Sequence, residues 1–187
     1  MSIVKQLYLL SEHELIKGCI EQNPHTQRAL FERYAGKFMS VCVRYALDTM
    51  EAEDMLQEGF VRIFNNLHQF KHEGSFEGWM RRIVVNVCLK YIQKRKLPFK
   101  DIEGGSTQDI QVAPYIYGSL SEDDLMKLIS QLPDGYRIVF NLNVIEGYSH
   151  EEIGVMLGIE ASTSRSQLVK ARRMLQNQII KLEKIAV

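Results

Sequence analysis

Three groups of residues in this chain have types and spacings that could do chemistry. Glu53, Asp54 and Glu58 gather carboxylates in one short segment, the raw material of general acid–base or metal-assisted catalysis. His68 and His72 stand four apart with Glu73 beside the second, which resembles a helical metal pair. Cys19, Cys42 and Cys88 supply thiols. Each group lacks what a catalytic site needs. The carboxylates have no nucleophile–base pair or metal motif beside them, and the histidines lack a third ligand and any HExxH spacing. The cysteines form no CxxC and read as buried free thiols in a reducing cytoplasm. Neither a metal, a cofactor nor catalysis is expected.

Binding chemistry is better represented. The segment Asn65–Ser75 (NNLHQFKHEGS) mixes amides with aromatic and cationic residues, and a polar stripe of Arg82, Asn86, Lys90 and Gln93 follows it, ending in Lys94, Arg95 and Lys96. Aromatic faces replace lost base stacking at about 1–3 kcal/mol per base, and cations hold phosphates, so this pairing suits single-stranded nucleic acid. Cations at a helix C-terminus also suit the helix dipole, which explains the same ending without DNA. Farther on, Thr163, Ser166, Gln167, Lys170 and Arg173 project as one outward helical stripe. Its hydroxyls and amide can reach base edges, and Lys170 and Arg173 can take phosphates. A plain surface helix gives a polar stripe too. A short helix and a Gly158–Ile159 turn before it favour DNA reading.

These residues need a scaffold, and composition allows one. The chain has 187 residues and 45% hydrophobic content, enough for one domain or two small ones. Its 23 basic and 23 acidic residues cancel, so nucleic-acid contact must come from local patches. The N-terminal MSIVKQLYLL lacks a basic flank and a cleavage site, and no apolar run approaches the roughly 20 residues of a membrane span. The protein is expected in the cytoplasm, without membrane insertion.

Helix signals recur along the chain and strand signals hardly appear, which predicts an all-α fold. Ser11–Glu14 is a capping box for a first helix that stops near Asn23-Pro24. Leu30, Tyr34, Phe38, Val41, Cys42 and Tyr45 mark a long amphipathic helix from His25 to about Leu47. Asp48 or Thr49 caps the next, with Asp48 and Glu51 at capping-box spacing; Met55, Leu56, Phe60, Ile63, Phe64 and Leu67 form its inner face. Its outer face carries Asp54, Glu58, Val61 and Asn65. The Asp54–Glu58 repulsion, roughly 0.2–0.5 kcal/mol at this spacing, can be offset by Arg62. A solvated charged face would look similar, but Val61, apolar within the polar stripe, points to an interface.

The segment Asn65–Ser75 then reads as a loop, and Ser75 caps a helix with core face Phe76, Met80, Ile83, Val84, Val87 and Tyr91 and with Trp79 at its edge. Leu97–Ser119 loses periodicity and reads as a flexible linker. Beyond it, Ser119–Glu122 is a capping box, and a helix carries Leu125, Leu128, Ile129 and Leu132. The next, from about Tyr136, packs Ile138, Val139, Leu142 and Ile145. Ser149–Glu152 caps a short helix, and a longer one begins near Ser162 with Leu168, Ala171, Leu175 and Ile179 inward.

At this point the residues match a family. From about Leu30 to Leu175 the chain resembles an extracytoplasmic-function (ECF) sigma factor of the bacterial sigma-70 family. The first part rests on Glu53–Arg62 (EDMLQEGFVR), then Phe70, Ser75-Phe76, Trp79, Ile83 and Asn86. The second rests on Leu132-Pro133, Val139-Phe140, Gly147–Ile153 (GYSHEEI), Leu157–Ile159, Thr163 and Lys170–Arg172. The resemblance implies two helical domains joined by a flexible linker: a region 2-like domain over 1–96, the linker over 97–119 and a region 4-like helix-turn-helix domain over 120–187. It implies an alternative sigma factor that binds core RNA polymerase and directs it to particular promoters.

The implied roles transfer residue by residue. Asp54, Gln57, Glu58, Val61 and Arg62 would dock on core polymerase. Asn65, Asn66, His68, Phe70, Lys71, Ser75, Phe76, Trp79, Arg82, Asn86 and Lys90 would handle the minus-ten DNA, with a flipped base taken up by the Asn65–Ser75 loop. Ser162, Thr163, Arg165, Ser166, Gln167, Lys170 and Arg173 would read the minus-thirty-five element. The free protein would be a monomer, and an anti-sigma partner is implied. Family members often carry an acid where this chain has Lys90, arginine where it has Gln93, and glycine and arginine where it has Ser162 and Gln167, so an unusual promoter sequence is expected. The competing reading is a helix-turn-helix repressor or activator that does not replace the sigma subunit.

Overall fold

A computed structural model describes residues 10–95 and 121–186, and all regular structure among them is helical. The chain divides into two compact units, Met1–Lys94 and Arg95–Val187. The expected linker at 97–119, with Lys96 before it, lies outside the described residues.

The first unit starts with α1 (Glu12–Ile20), where Ser11 Oγ accepts from the Glu14 amide and the Glu14 carboxylate accepts from the Ser11 amide at 2.8 Å. These bonds satisfy N-terminal amides that the helix leaves unpaired. The Ser11 hydroxyl also donates to the Glu14 carboxylate at 2.7 Å, and this bond, with that from the Ser11 amide, holds the carboxyl below the usual carboxylate range. The chain turns through Gln22, whose φ of 57° is left-handed, into α2 (Pro24–Tyr45), capped by Asn23. The corner is tight: a Cβ on Gly18 would lie 2.5 Å from Cγ2 of Thr26. Only glycine allows α1 this close to α2.

α3 (Thr49–Asn66) is capped by Asp48, which accepts from the Glu51 amide at 2.8 Å. The expected capping box is displaced by one residue, because the Glu51 carboxylate accepts from the Leu47 amide instead. Asn65 and Asn66 still belong to α3, and Leu67–Gln69 continue as a 3-10 turn, so the expected loop shrinks to residues 70–75. α4 (Phe76–Lys94) follows, with Ser75 Oγ accepting from the Gly78 amide. The buried face of α4 includes Val85, Cys88, Leu89 and Ile92 as well as Phe76, Met80, Val84 and Val87, while Ile83 and Tyr91 are only half-buried. The helix packs against both α2 and α3, so it buries a wider arc than one amphipathic stripe.

Aromatic rings tie these helices together. Phe38 of α2 lies 6.0 Å from Phe60 of α3, and Tyr34 meets Phe76 of α4 edge-on at 6.2 Å. All three cysteines are buried and unbridged; the Cys88 thiol is driven up by its hydrogen bond with Cys42 and by burial.

The second unit opens with α5 (Glu122–Ser130), capped by Ser121 rather than Ser119; the Ser121 hydroxyl accepts from the Asp124 amide at 3.1 Å. α6 (Asp134–Phe140) loosens into a π-turn at Asn141–Ile145, where the Glu146 amide reaches back five residues to the Asn141 carbonyl. That extra residue per turn rotates Ile145 outward, leaving it 37% exposed instead of packed. Leu125 is exposed as well, at 40%. A capping box at Ser149 and Glu152 starts α7 (His150–Leu157), and Gly158 closes it with φ 68°, where a side chain would be strained. α8 (Ala161–Ala186) completes the helix-turn-helix. Leu128, Ile129, Leu132, Tyr136, Ala171, Leu175 and Ile179 form the core under it.

The single tryptophan, Trp79, belongs to the first unit, so its fluorescence reports that unit alone. Phe38→Ala should destabilise that unit by about 3–5 kcal/mol in urea unfolding, because it empties a fully buried site. Val43→Ala, at a 54% exposed position, should change it by less than about 0.5 kcal/mol.

Candidate functional site

The described surface presents three sets of functional candidates. The first is the outer face of α3. Burying Met55, Leu56, Phe60 and Ile63 turns Asp54, Gln57 and Val61 to solvent, and Val61 is 57% exposed. Arg62 answers Glu58 within the helix, its Nε donating to the carboxylate at 2.9 Å. That bond holds the Glu58 carboxyl below the usual range. Burial pushes the Tyr91 phenol of α4 up, and the negative charges of Glu58 and Asp54 add to the shift. The face is therefore an acidic strip with an apolar side chain inside it. Because Glu58 and Arg62 are both partly solvated, their pair adds little to stability and mainly fixes geometry.

The second set surrounds the turn from α3 to α4. Asn65, His68, Lys71, Ser75, Arg82, Asn86 and Lys90 are exposed, and Asn66 and Trp79 are half-buried. Phe70 and Phe76 are not available in this way: they are 8% and 1% exposed. Phe70 packs 5.1 Å from Phe76 and 5.5 Å from Trp79, while Phe76 stacks on Trp79 at 5.9 Å. Phe70 is the one apolar side chain of the short 70–75 loop, and its packing on Phe76 and Trp79 holds the loop down. Both rings, expected from the sequence to contact DNA, are packed inside the aromatic cluster in this fold. Trp79 is the one ring of the three with substantial open surface. His72, with φ 58°, lies 4.9 Å from Phe70 and 5.8 Å from His13, ring to ring. Among the described residues, no three His, Cys, Asp or Glu side chains gather as a metal site.

Asn65 and His68 do meet residues to which sequence reasoning assigned no role. They line an open cleft of about 430 Å³ with Gln22 and Gln27 from the α1–α2 corner and with Phe64. No periodic signal marks Gln22 and Gln27, because a corner brings them there and not a helical face.

The third set lies on α7 and α8. His150 Nδ1 and Ser164 Oγ are 2.8 Å apart, and Arg165 reaches Glu151 at 2.7 Å, so two polar contacts join the first turns of the helices. Ser162 and Arg165 are exposed; Thr163, Ser166, Lys170 and Arg173 are half-exposed, and Ser166 Oγ donates to the Thr163 carbonyl. Gln167 is not outward. It is 1% exposed, and its Oε1 has no hydrogen-bond partner among the described residues. It follows Ser164 by three residues and precedes Ala171 by four, both fully buried, so it shares their inward row. The outward positions that sequence reasoning missed are Val169, 61% exposed, and Arg172. Ordinary helical projection from Ser162 and Arg165 reaches both.

Comparison with known proteins places both units in one family. The Sigma-70 region 2 family model matches residues 30–97, and the Sigma-70 region 4 model matches residues 122–175. The chain is 32% identical over 158 residues to the ECF RNA polymerase sigma factor SigW of Bacillus subtilis, covering 78% of this chain and 84% of that one. It is 30% identical over 158 residues to the ECF RNA polymerase sigma factor SigE of Mycolicibacterium smegmatis, covering 81% of this chain and 61% of that longer relative. Among solved structures, the sigma factor RpoE crystallised with the anti-sigma factor NepR from Bartonella quintana shares the fold. The match has a TM-score of 0.51 at 21% identity and covers 82% of this chain and 96% of that one.

Two measurements check this geometry. Gln167→Leu should stabilise the second unit by about 1 kcal/mol, since it removes a buried amide oxygen without a partner; slower hydrogen exchange of α8 amides would report the gain. Arg62→Met should return the Glu58 carboxyl upward toward the ordinary range in a carboxyl-carbon NMR titration. The depressed folded-state value makes the small contribution of Glu58 present at neutral pH and lost as pH falls through it.

Proposed function

The chain belongs to the ECF branch of the sigma-70 family, and we propose that it binds core RNA polymerase and directs promoter-specific initiation from the cytoplasm. What carries the reading is the coexistence in one chain of the region 2 match and the region 4 match, in the family's order. Polymerase carries out the chemistry, and this chain supplies recognition without a catalytic step of its own.

The division of labour follows the surfaces. Domain 1–96 docks on polymerase through Asp54, Gln57, Val61 and the Glu58–Arg62 pair, and an exposed valine on a face that also carries Asp54 and Glu58 suits a partner with an apolar spot near cations. Asn65, Asn66, His68, Lys71, Ser75, Trp79, Arg82, Asn86 and Lys90 meet the minus-ten DNA, where amides and a ring read unstacked bases and cations hold the backbone. Phe70 and Phe76 serve that surface from below, by fixing Trp79. Residues 97–119 connect the domains. Domain 120–187 reads the minus-thirty-five element with Ser162, Thr163, Arg165, Ser166, Lys170 and Arg173, and Gln167 sets the seating of the helix. The free protein is a monomer. The crystallised relative with its anti-sigma factor supports a similar inhibitory partner here.

Purified protein mixed with core polymerase should form a stable complex and start transcription at selected promoters. Asp54→Arg should weaken core binding at least about tenfold with an unchanged helical spectrum, because it inverts charge on an exposed face. Wild-type core affinity in that variant would remove the docking assignment. Lys170→Ala should weaken promoter binding across sequences and lower the salt dependence by about one phosphate contact. Tight duplex binding by a free dimer, with no affinity for core, would instead indicate a stand-alone repressor or activator.

A further inference from the structure

Cys42 and Cys88 are buried nucleophiles with no part in the assignments above. Cys42 follows Phe38 by four residues and precedes Tyr45 by three, all fully buried, so it sits on the inward row of α2. Cys88 lies midway between the buried Val84 and Ile92 on the inward row of α4. The two helices run side by side in one direction. Near their starts Tyr34 meets Phe76 edge-on at 6.2 Å, and Lys37 Nζ donates to the Glu77 carboxylate at 2.6 Å. Farther along both, the Cys42 and Cys88 thiols share a hydrogen bond. The register that joins the rings therefore also sets sulfur against sulfur.

A single buried cysteine is a small apolar side chain. Two thiols in contact across a helix pair differ, because their sulfurs need only close to about 2.05 Å to bond. The pair is also chemically unequal. The Cys88 hydrogen bond holds the Cys42 thiol below its ordinary value against the opposing effect of burial, and the Arg44 charge adds to the lowering. The same bond, together with burial, drives the Cys88 thiol up. The third thiol, Cys19 of α1, is pushed up by burial and hydrogen bonds with Thr26 instead.

We propose that Cys42 and Cys88 form an oxidative modification site, a thiol pair that hydrogen peroxide converts into a disulfide tying α2 to α4. The thiolate is the reactive species, so Cys42 acts first. Its sulfur attacks one peroxide oxygen, the O–O bond breaks, and the departing hydroxide takes up the proton that Cys42 lost. The product is a sulfenic acid on Cys42. The Cys88 sulfur then attacks the Cys42 sulfur and expels hydroxide, which leaves as water with the Cys88 proton. Two thiols and one peroxide become one disulfide and two waters; the sulfurs are oxidised and the peroxide is reduced. Full burial selects for a small oxidant, since local opening admits peroxide more readily than a bulky disulfide reagent. Cytoplasmic disulfides are mostly transient and redox-sensing, and exchange with a dithiol reductant, itself oxidised to a disulfide, restores this pair.

The test uses the reduced full chain, without denaturant, and hydrogen peroxide in small excess. Thiols counted afterwards in denaturant should fall from three to one. A non-reducing peptide map should join Cys42 to Cys88 and leave Cys19 free. The urea midpoint reported by Trp79 should rise by at least about 0.5 M, because the bridge restricts the unfolded chain, and dithiothreitol should reverse the shift. Cys19→Ser should form the same bridge, and Cys42→Ser should keep both of its remaining thiols at the same dose. Three intact thiols in the wild type overturn the proposal, as does a bridge that uses Cys19 or links two chains. An unchanged or lowered midpoint overturns it too, because it marks a bridge made only in opened chains.

Discussion

The aromatic contact between helices is the constraint on which the first unit depends. Phe38 and Phe60 join α2 to α3, Tyr34 and Phe76 join α2 to α4, and Trp79 and Phe70 extend the cluster to the turn. Once these rings are inside, the remaining placements follow. α3 can bury only one face, so Asp54, Gln57 and Val61 must look outward. The same cluster pins the short 70–75 segment from beneath, which sets Trp79 and the polar stripe of α4 at the surface. The proposed docking face and the proposed DNA face therefore come from opposite demands on the same pair of helices.

In the second unit, backbone geometry has that role. The reciprocal Ser149–Glu152 cap begins α7 and the left-handed Gly158 ends it, so the start of α8 is placed within narrow limits. His150 with Ser164 and Glu151 with Arg165 then fasten the two helices at their first turns. The Glu151 pair also sets where the Arg165 guanidinium lies. Gln167 lies buried on the underside of α8, in one row with Ser164 and Ala171. A buried oxygen without a partner costs about 1–3 kcal/mol.

Much of this was legible in the residues, because caps and helical periodicity are local. Ser11, Asp48 and Ser149 begin their helices as read, and the inward rows of α2 and α3 match apart from the half-buried Phe64. Family likeness could be read from the ordered motifs of both units. The misses share a cause: each depends on contacts beyond the window of a single helix. The burial of Phe70 and Phe76 comes from their packing on each other and on Trp79, which their spacing alone does not show. Gln167 is polar, yet its row, shared with Ser164 and Ala171, is buried. Ile145 loses its place to one residue of π-turn, and α4 buries a wider arc because it has two neighbours. The Gln22–Gln27 wall was invisible because a corner has no period.

The account stands on one claim, that two separately folded units act together to choose where polymerase starts. The most direct measurement is genome-wide mapping of transcript 5′ ends made in vitro by core polymerase with and without this protein. The account predicts a discrete set of new starts whose upstream sequences align into two blocks, one at minus ten and one at minus thirty-five. Starts indistinguishable from those of core alone, or new starts sharing no upstream sequence, would contradict it.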